Sequence, residues 1–306
     1  MKQFRLLCCH VMAAITLTIL LASCEKSITT DSNANCRLTF SVTNSDAPAP
    51  SGSAAGNTTR ATVSIGDYFT KLNIMLFDSL GNRAFDKVKT QMATDDDFGQ
   101  LACQLVEGTY TVVAVGHSSI KSATIKSPDM VQFTASDGEK LTDTFVYCGQ
   151  VTVSDASASA NNFNLTMHRA TAMVQIEPVD VYVPQQFTRL IIGYTGGSAN
   201  VNPTTLLGTT KSTQSEARAA VMPQLYQVFT FPYMADSCLL KMTLTAYDAD
   251  GNTLKQRTLN DVPVTRNRIT RCYGTLFDDG GVWQYQQATF GFTVNPDWDG
   301  VNEYMF

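Results

Sequence analysis

Along most of this chain apolar and polar residues alternate with the period of two that a half-buried strand requires. Residues 36–42 (CRLTFSV) form the first such run, and 71–78 (KLNIMLFD) is apolar on both faces, which predicts a strand inside a sheet. Runs at 101–105, 108–116 (GTYTVVAVG), 144–153 and 163–167 complete a first set, rich in Val, Thr and Tyr. A second set follows at 172–176, 189–194, 227–231, 239–247, 254–259, 269–277 and 288–294. Ser79-Leu80-Gly81-Asn82 reads as a turn, and Asp248-Ala249-Asp250-Gly251-Asn252 as a hairpin turn. No segment carries the period and caps of a long helix, although 67–71, 137–141 and 215–220 are candidates for short ones. The expected fold is all-β, with two tandem antiparallel β-sandwich domains meeting near 167–171. In the last run Phe290, Phe292 and Val294 share one face, so 288–294 is expected to complete the second sandwich, with Asn295-Pro296-Asp297 ending it.

The N-terminus follows a different pattern. Lys2 and Arg5 precede an apolar stretch over 6–21, which leads into Leu21-Ala22-Ser23-Cys24. That order is a secretory signal, and a cysteine at the cut makes it a lipoprotein signal. The stretch is shorter than the roughly 20 apolar residues of a spanning helix. Residues 1–23 are therefore expected to be a signal peptide, Cys24 the lipidated first residue of the mature chain, and 24–35 a polar tether. The sandwich domains would occupy 36–168 and 169–306. Between the first two runs, 44–62 is rich in Ser, Ala, Pro, Gly, Asn and Thr, as a long loop or linker is, and holds Arg60.

Composition narrows the function classes. Hydrophobic residues make up 44% and charged ones 16%, which is globular rather than disordered. A net charge of −5 offers no basic face for nucleic acid. Beyond Cys8, Cys9 and Cys24, the cysteines are Cys36, Cys103, Cys148, Cys238 and Cys272. An exported protein meets a compartment that permits disulfides. The long spacings give no metal motif. Burial as small apolar side chains is the favoured reading for Cys36, Cys103 and Cys148. Cys238 and Cys272, both on strands of the second domain, are the candidate disulfide pair.

Catalytic chemistry finds little footing. His10, His117 and His168 are scattered, without partners at ligand or acid–base spacing. Asp248, Asp250 and Asn252 resemble the start of a calcium loop, but the twelfth position, where a bidentate Glu belongs, is Leu259. Asp95-Asp96-Asp97 reads as a solvated loop. There is no phosphate loop, GxSxG elbow or HExxH. Trp283 and Trp298 suggest either a carbohydrate platform or core anchors. The expectation is a binding or assembly protein with no catalytic residues, metal or cofactor.

Several segments together resemble one family. They are the Cys24 lipobox, 72–78 followed by Gly81, 107–114 (EGTYTVVA), 167–174 (MHRATAMV), 262–270 (VPVTRNRIT) and 290–298 (FGFTVNPDW). Their order and spacing are similar to those of the FimB-like fimbrial anchor subunits of the Bacteroides-type (type V, fimbrillin-related) pilus. The resemblance implies two transthyretin-like sandwich domains on a lipidated Cys24. It also implies a place at the fimbrium base in the outer membrane, control of fimbrial length, and other fimbrial subunits as partners through strand addition. Shaft and tip fimbrillins share the fold and the signal. In shaft subunits an Arg-specific protease removes an N-terminal segment, and Arg60 stands where such a cut would fall. A surface glycan-binding lipoprotein is the alternative from another class.

Overall fold

The computed structural model describes residues 34–42, 64–133, 141–154, 161–220, 225–278, 284–285 and 301–302. In chain order the first strands are β1 (Cys36–Val42), β2 (Lys71–Phe77), β3 (Lys89–Met92), β4 (Gln100–Cys103), β5 (Gly108–His117), β6 (Thr124–Ser127), β7 (Met130–Gln132), β8 (Phe145–Val153) and β9 (Asn162–Arg169). Seven of them form one sheet in the order β3-β2-β5-β8-β9-β1-β4. β8 and β9 pair only at Phe145 with Arg169 and Val146 with His168. The sheet folds over at that corner, so β3-β2-β5-β8 faces β9-β1-β4. Leu38, Phe40, Ile74, Leu76, Val112 and Leu165 fill the space between the layers.

The second group is β10 (Ala172–Pro178), β11 (Arg189–Ser198), β12 (Asn200–Asn202), β13 (Leu207–Gly208), β14 (Lys211–Ala219), β15 (Tyr226–Thr230), β16 (Ser237–Tyr247), β17 (Thr253–Thr265), β18 (Ile269–Gly274), β19 (Gln284–Tyr285) and β20 (Val301–Asn302). One layer runs β14-β11-β16-β17, and the other β15-β10-β18-β19 with β20 also on β18. Val174, Ile192, Tyr226, Leu244 and Val262 lie in the core between them. The order β14-β11-β16-β17 repeats β3-β2-β5-β8, and β15-β10-β18 repeats β4-β1-β9. The protein is thus all-β and built on one strand plan used twice. Most pairs are antiparallel, as expected, but the first strand of each group lies parallel to a late one, β1 to β9 and β10 to β18, and the short β20 is parallel to β18.

Two short additions join the groups. β6 and β7 lie between β5 and β8, and β12 and β13 between β11 and β14. They pair with each other, Val131 opposite Val201, in a sheet ordered β13-β12-β7-β6. A third core lies beneath it. Met75, Phe77, Val113 and Val115 on the outer face of β2 and β5 meet Ile125, Val131, Val201 and Phe231. This second apolar contact explains why every residue of β2 is buried. Fully burying each large aliphatic chain stabilises by roughly 1.5–3 kcal/mol.

Two local expectations need correction or relocation. Residues 215–220 do not form a helix, because Lys211–Ala219 is strand β14. Its Gln214 and Glu216 point inward on alternate positions, and pairing to β11 overrides the local preference of Ala217 and Ala219. The short helix near 67–71 is a 3-10 turn at Ile65–Asp67, closed by reciprocal Ser64 and Asp67 capping bonds, and Lys71 already belongs to β2. Residues 137–140 and 288–294 lie outside the described residues.

The turns after β2 and β16 have the same solution. Asp78 Oδ1 accepts from Asn82 N–H at 2.8 Å and its Oδ2 from Asn82 Nδ2 at 3.0 Å. Asp248 holds Asn252 in the same way, at 2.7 and 2.9 Å. Gly81 and Gly251 have φ of +82° and +87°. These bonds hold both carboxylates below the usual aspartate range, with the Asn side chain the largest cause. Replacing either glycine with alanine meets no steric obstacle but forces a β-carbon into left-handed backbone. Each such change should cost about 1–2 kcal/mol, read as a lower urea midpoint with an unchanged slope. An unmoved midpoint would contradict this.

Candidate functional site

The first strand is held on both sides. β1 pairs antiparallel with β4, Cys36 opposite Cys103, and parallel with β9 over residues 37–42. Asn35 fixes its start. Its Nδ2 donates to Leu105 O at 2.8 Å, and its Oδ1 accepts from Leu105 N–H at 2.9 Å. Asn161 Nδ2 donates to Asn35 O at 3.1 Å, and Arg37 N–H donates to Asn161 O at 2.9 Å. Whatever precedes residue 34 therefore enters the fold at a strand in the middle of a sheet, not at an edge.

At the junction between β9 and β10 sits a buried arginine. Arg169 Nε donates to Asp143 Oδ1 and Oδ2 at 2.9 and 3.0 Å, and an Nη donates to Asn267 Oδ1 at 2.8 Å. Its guanidinium lies 4.7 Å from the centre of the Phe145 ring. Thr171 Oγ1 donates to Asp143 Oδ1 at 2.9 Å, and Asn267 N–H donates to Thr171 O. Asn267 takes φ of +59° in the turn between β17 and β18. The clasp thus ties the end of the first group to a turn deep in the second.

The predicted residues distribute as follows. Cys24, Arg60, Trp283 and Trp298 lie outside the described residues. Cys36, Cys103, Cys148, Cys238 and Cys272 are free thiols, so the Cys238–Cys272 bridge is not formed. The register explains why. Cys272 lies level with Ile176, four residues along β10 from Ala172. Ala172 pairs with Thr230, beside the 231–233 segment, where the Cys238 thiol bonds the Tyr233 backbone. At about 3.3 Å per residue the two levels are roughly 13 Å apart. Burial raises the pKa of both thiols.

His117 and His168 are separate. His168 is exposed on β9. His117 is buried, with Nε2 2.8 Å from Asn73 Oδ1 and Nδ1 accepting from Ser119 N–H at 3.1 Å. Burial, then the Lys71 charge, pushes its pKa down to about 3, so it is a neutral structural group. Both Asp248 oxygens are engaged by Asn252, and Asp95 Oδ2 caps Met92 N–H at 2.8 Å. Among the described residues no cluster of three or more acidic, His or Cys side chains gathers for a metal.

Two features escaped the sequence reading. One is the Arg169 clasp, whose only signal is an arginine within the stretch 167–174 (MHRATAMV). The other is the Cys36–Cys103 contact. A hydrogen bond from Cys103 lowers the Cys36 pKa against the opposing effect of burial, while the same contact and burial raise that of Cys103.

Several strand edges carry no described neighbour: β3 and β4 in the first group, and β14, β15 and β17 in the second. β3 and β4 are four residues each, and β17 carries Lys255, Arg257, Asp261 and Pro263, all features that discourage casual pairing.

No family model matches this chain, and no curated protein matches it. Solved structures do show similarity. A candidate adhesin from Bacteroides ovatus is 11% identical, with 74% of this chain and 75% of that chain covered and a TM-score of 0.47. A fimbrial assembly protein from Parabacteroides distasonis is 12% identical over 82% of this chain and 94% of its own, with a TM-score of 0.42. The fimbrial anchor protein Mfa2 from Porphyromonas gingivalis is 13% identical over 82% and 95%, with a TM-score of 0.41.

Proposed function

We propose that this chain is a non-enzymatic, lipid-anchored fimbrial subunit that attaches a pilus to the outer membrane and limits its length. Residues 24–35 would be the tether, and 36–168 and 169–306 the two domains. The reading starts from the lipoprotein signal ending at Cys24 and from the family-like segments along the chain. The observation that carries it is the seat of β1. A lipid on Cys24 would be covalently continuous with a strand paired on both sides and pinned at Asn35. Fully extended, residues 24–35 reach roughly 40 Å, enough to clear lipid headgroups. A lipoprotein cysteine carrying several acyl chains exceeds the marginal hold of one. Partner subunits would add a strand at an open edge, through main-chain hydrogen bonds, most simply in the first domain.

The test is Cys24→Ala. Metabolic labelling with a fatty acid should vanish, and fimbriae should be shed into the medium. Label retained at the level of the unmodified protein would refute the reading. The position of Arg60, between β1 and β2, favours one competing role. Cleavage there would break the backbone between the lipid-bearing β1 and the rest of the chain, as a shaft or tip subunit requires. Sequencing the N-terminus of protein from cells distinguishes the two: Cys24 for an anchor, residue 61 for a shaft or tip subunit.

A further inference from the structure

We propose that Cys36 and Cys103 form a cross-strand disulfide when the chain folds under oxidising conditions. The two residues are directly opposite in the antiparallel β1–β4 pair. Phe40 N–H donates to Gly99 O at 2.8 Å further along the same register, an even number of residues away. Cys36 and Cys103 therefore occupy a hydrogen-bonded pair, with Cα atoms about 5.5 Å apart. That falls within the range of about 4.4–6.8 Å that disulfides span. Both side chains lie on the core face, at 1% and 7% exposure, so their Cβ bonds point to the same side. The other thiols among the described residues are elsewhere. Cys148 faces Thr204 and Pro128 at the joining sheet, and Cys238 and Cys272 belong to the other core.

The chemistry is thiol–disulfide exchange with an external disulfide, represented here by oxidised glutathione. One cysteine attacks as thiolate and displaces one glutathione thiolate, giving a mixed disulfide. The second cysteine then attacks the first and displaces the other glutathione. Two protein thiols lose two electrons and two protons, and one glutathione disulfide becomes two thiols. Burial of both sulfurs places the reaction at the moment β1 docks on β4, and shields the bond afterwards. Once formed, the bond links β1 to β4 covalently, so a backbone cut anywhere in 43–99, Arg60 included, leaves the two pieces joined.

The full chain, refolded with oxidised glutathione or recovered from an oxidising compartment, should be denatured with an alkylating reagent and no reductant, then digested and mapped by mass. The expected result is one peptide pair joined through Cys36 and Cys103, with Cys148, Cys238 and Cys272 alkylated. In Cys103→Ser, Cys36 should become alkylated without forming a new pair. Cys36 and Cys103 both alkylated to the same extent as Cys148 would overturn the proposal, as would either of them joined to another cysteine. The map of the unsubstituted chain decides the matter even if the variant does not fold.

Discussion

Replacing Arg169 with alanine should lower the unfolding free energy by about 3–5 kcal/mol, the usual cost of removing one partner from a buried ion pair. The guanidinium side chain is 4% exposed, and the Asp143 side chain 24%. Without the arginine, Asp143 keeps its charge in a partly buried site with only the Thr171 hydroxyl as a side-chain donor, and Asn267 Oδ1 loses the guanidinium bond. The ring of Phe145 also loses its stacked cation. Asp143→Asn in the same chain removes the stranded charge, so the double variant should recover part of the loss. Urea unfolding measures both. A single-variant change under about 1 kcal/mol would mean that the clasp is solvated and contributes no more than a surface pair.

Acid should weaken the fold through His117. Its native pKa is about 3, whereas an unfolded chain has the ordinary value near 6.5. Between these values the unfolded state binds a proton that the native state excludes. Stability from this group is complete above pH 6.5 and is lost as pH falls through that window, at up to about 1.4 kcal/mol per pH unit. From pH 6.5 to 4.5 the loss should be about 2–3 kcal/mol. The hydrogen bonds give the reason. Nδ1 already accepts the Ser119 N–H, so a proton there would face another proton, and the Lys71 amino group bonded to Ile120 O is a nearby cation. His117→Gln should flatten the pH dependence of the unfolding free energy in this interval. An unchanged slope would assign the acid sensitivity to carboxylates instead.

Much of the fold is written in local periodicity. β1, β2, β5, β8 and β16 follow runs of alternating or continuous apolar residues, and their edges fall within a residue or two of the expected ones. The strands that periodicity missed are short or polar. β3 (KTQM), β6 (TIKS) and β12 (NVN) each carry too few apolar residues to register a period. β14 (KSTQSEARA) buries Gln214 and Glu216, polar groups that meet the Tyr194 hydroxyl, so its inward face does not read as apolar. The parallel seats of β1 and β10 depend on strands more than a hundred and almost a hundred residues away, which no window along the chain contains. The same holds for the joining sheet, where Val131 and Val201 meet from different groups. Of the candidate site, Cys24 and Arg60 stand out in the sequence as motif and position alone and lie outside the described residues, while the Arg169 clasp and the Cys36–Cys103 contact exist only through long-range register.

The position of β1 also determines how the molecule bears tension. A pull on the chain ahead of Asn35 acts along the axis of β1, while its hydrogen bonds to β4 and β9 run across that axis. Such a load shears both ladders at once instead of opening them bond by bond, so no single bond at the end takes all the force. Because β1 also lies under the core between the two layers, sliding it by one residue would turn Leu38 and Phe40 to the wrong face. The first slip is therefore the costly one, and were the chain held through the residues ahead of Asn35, as proposed above, the fold would resist tension where that load enters.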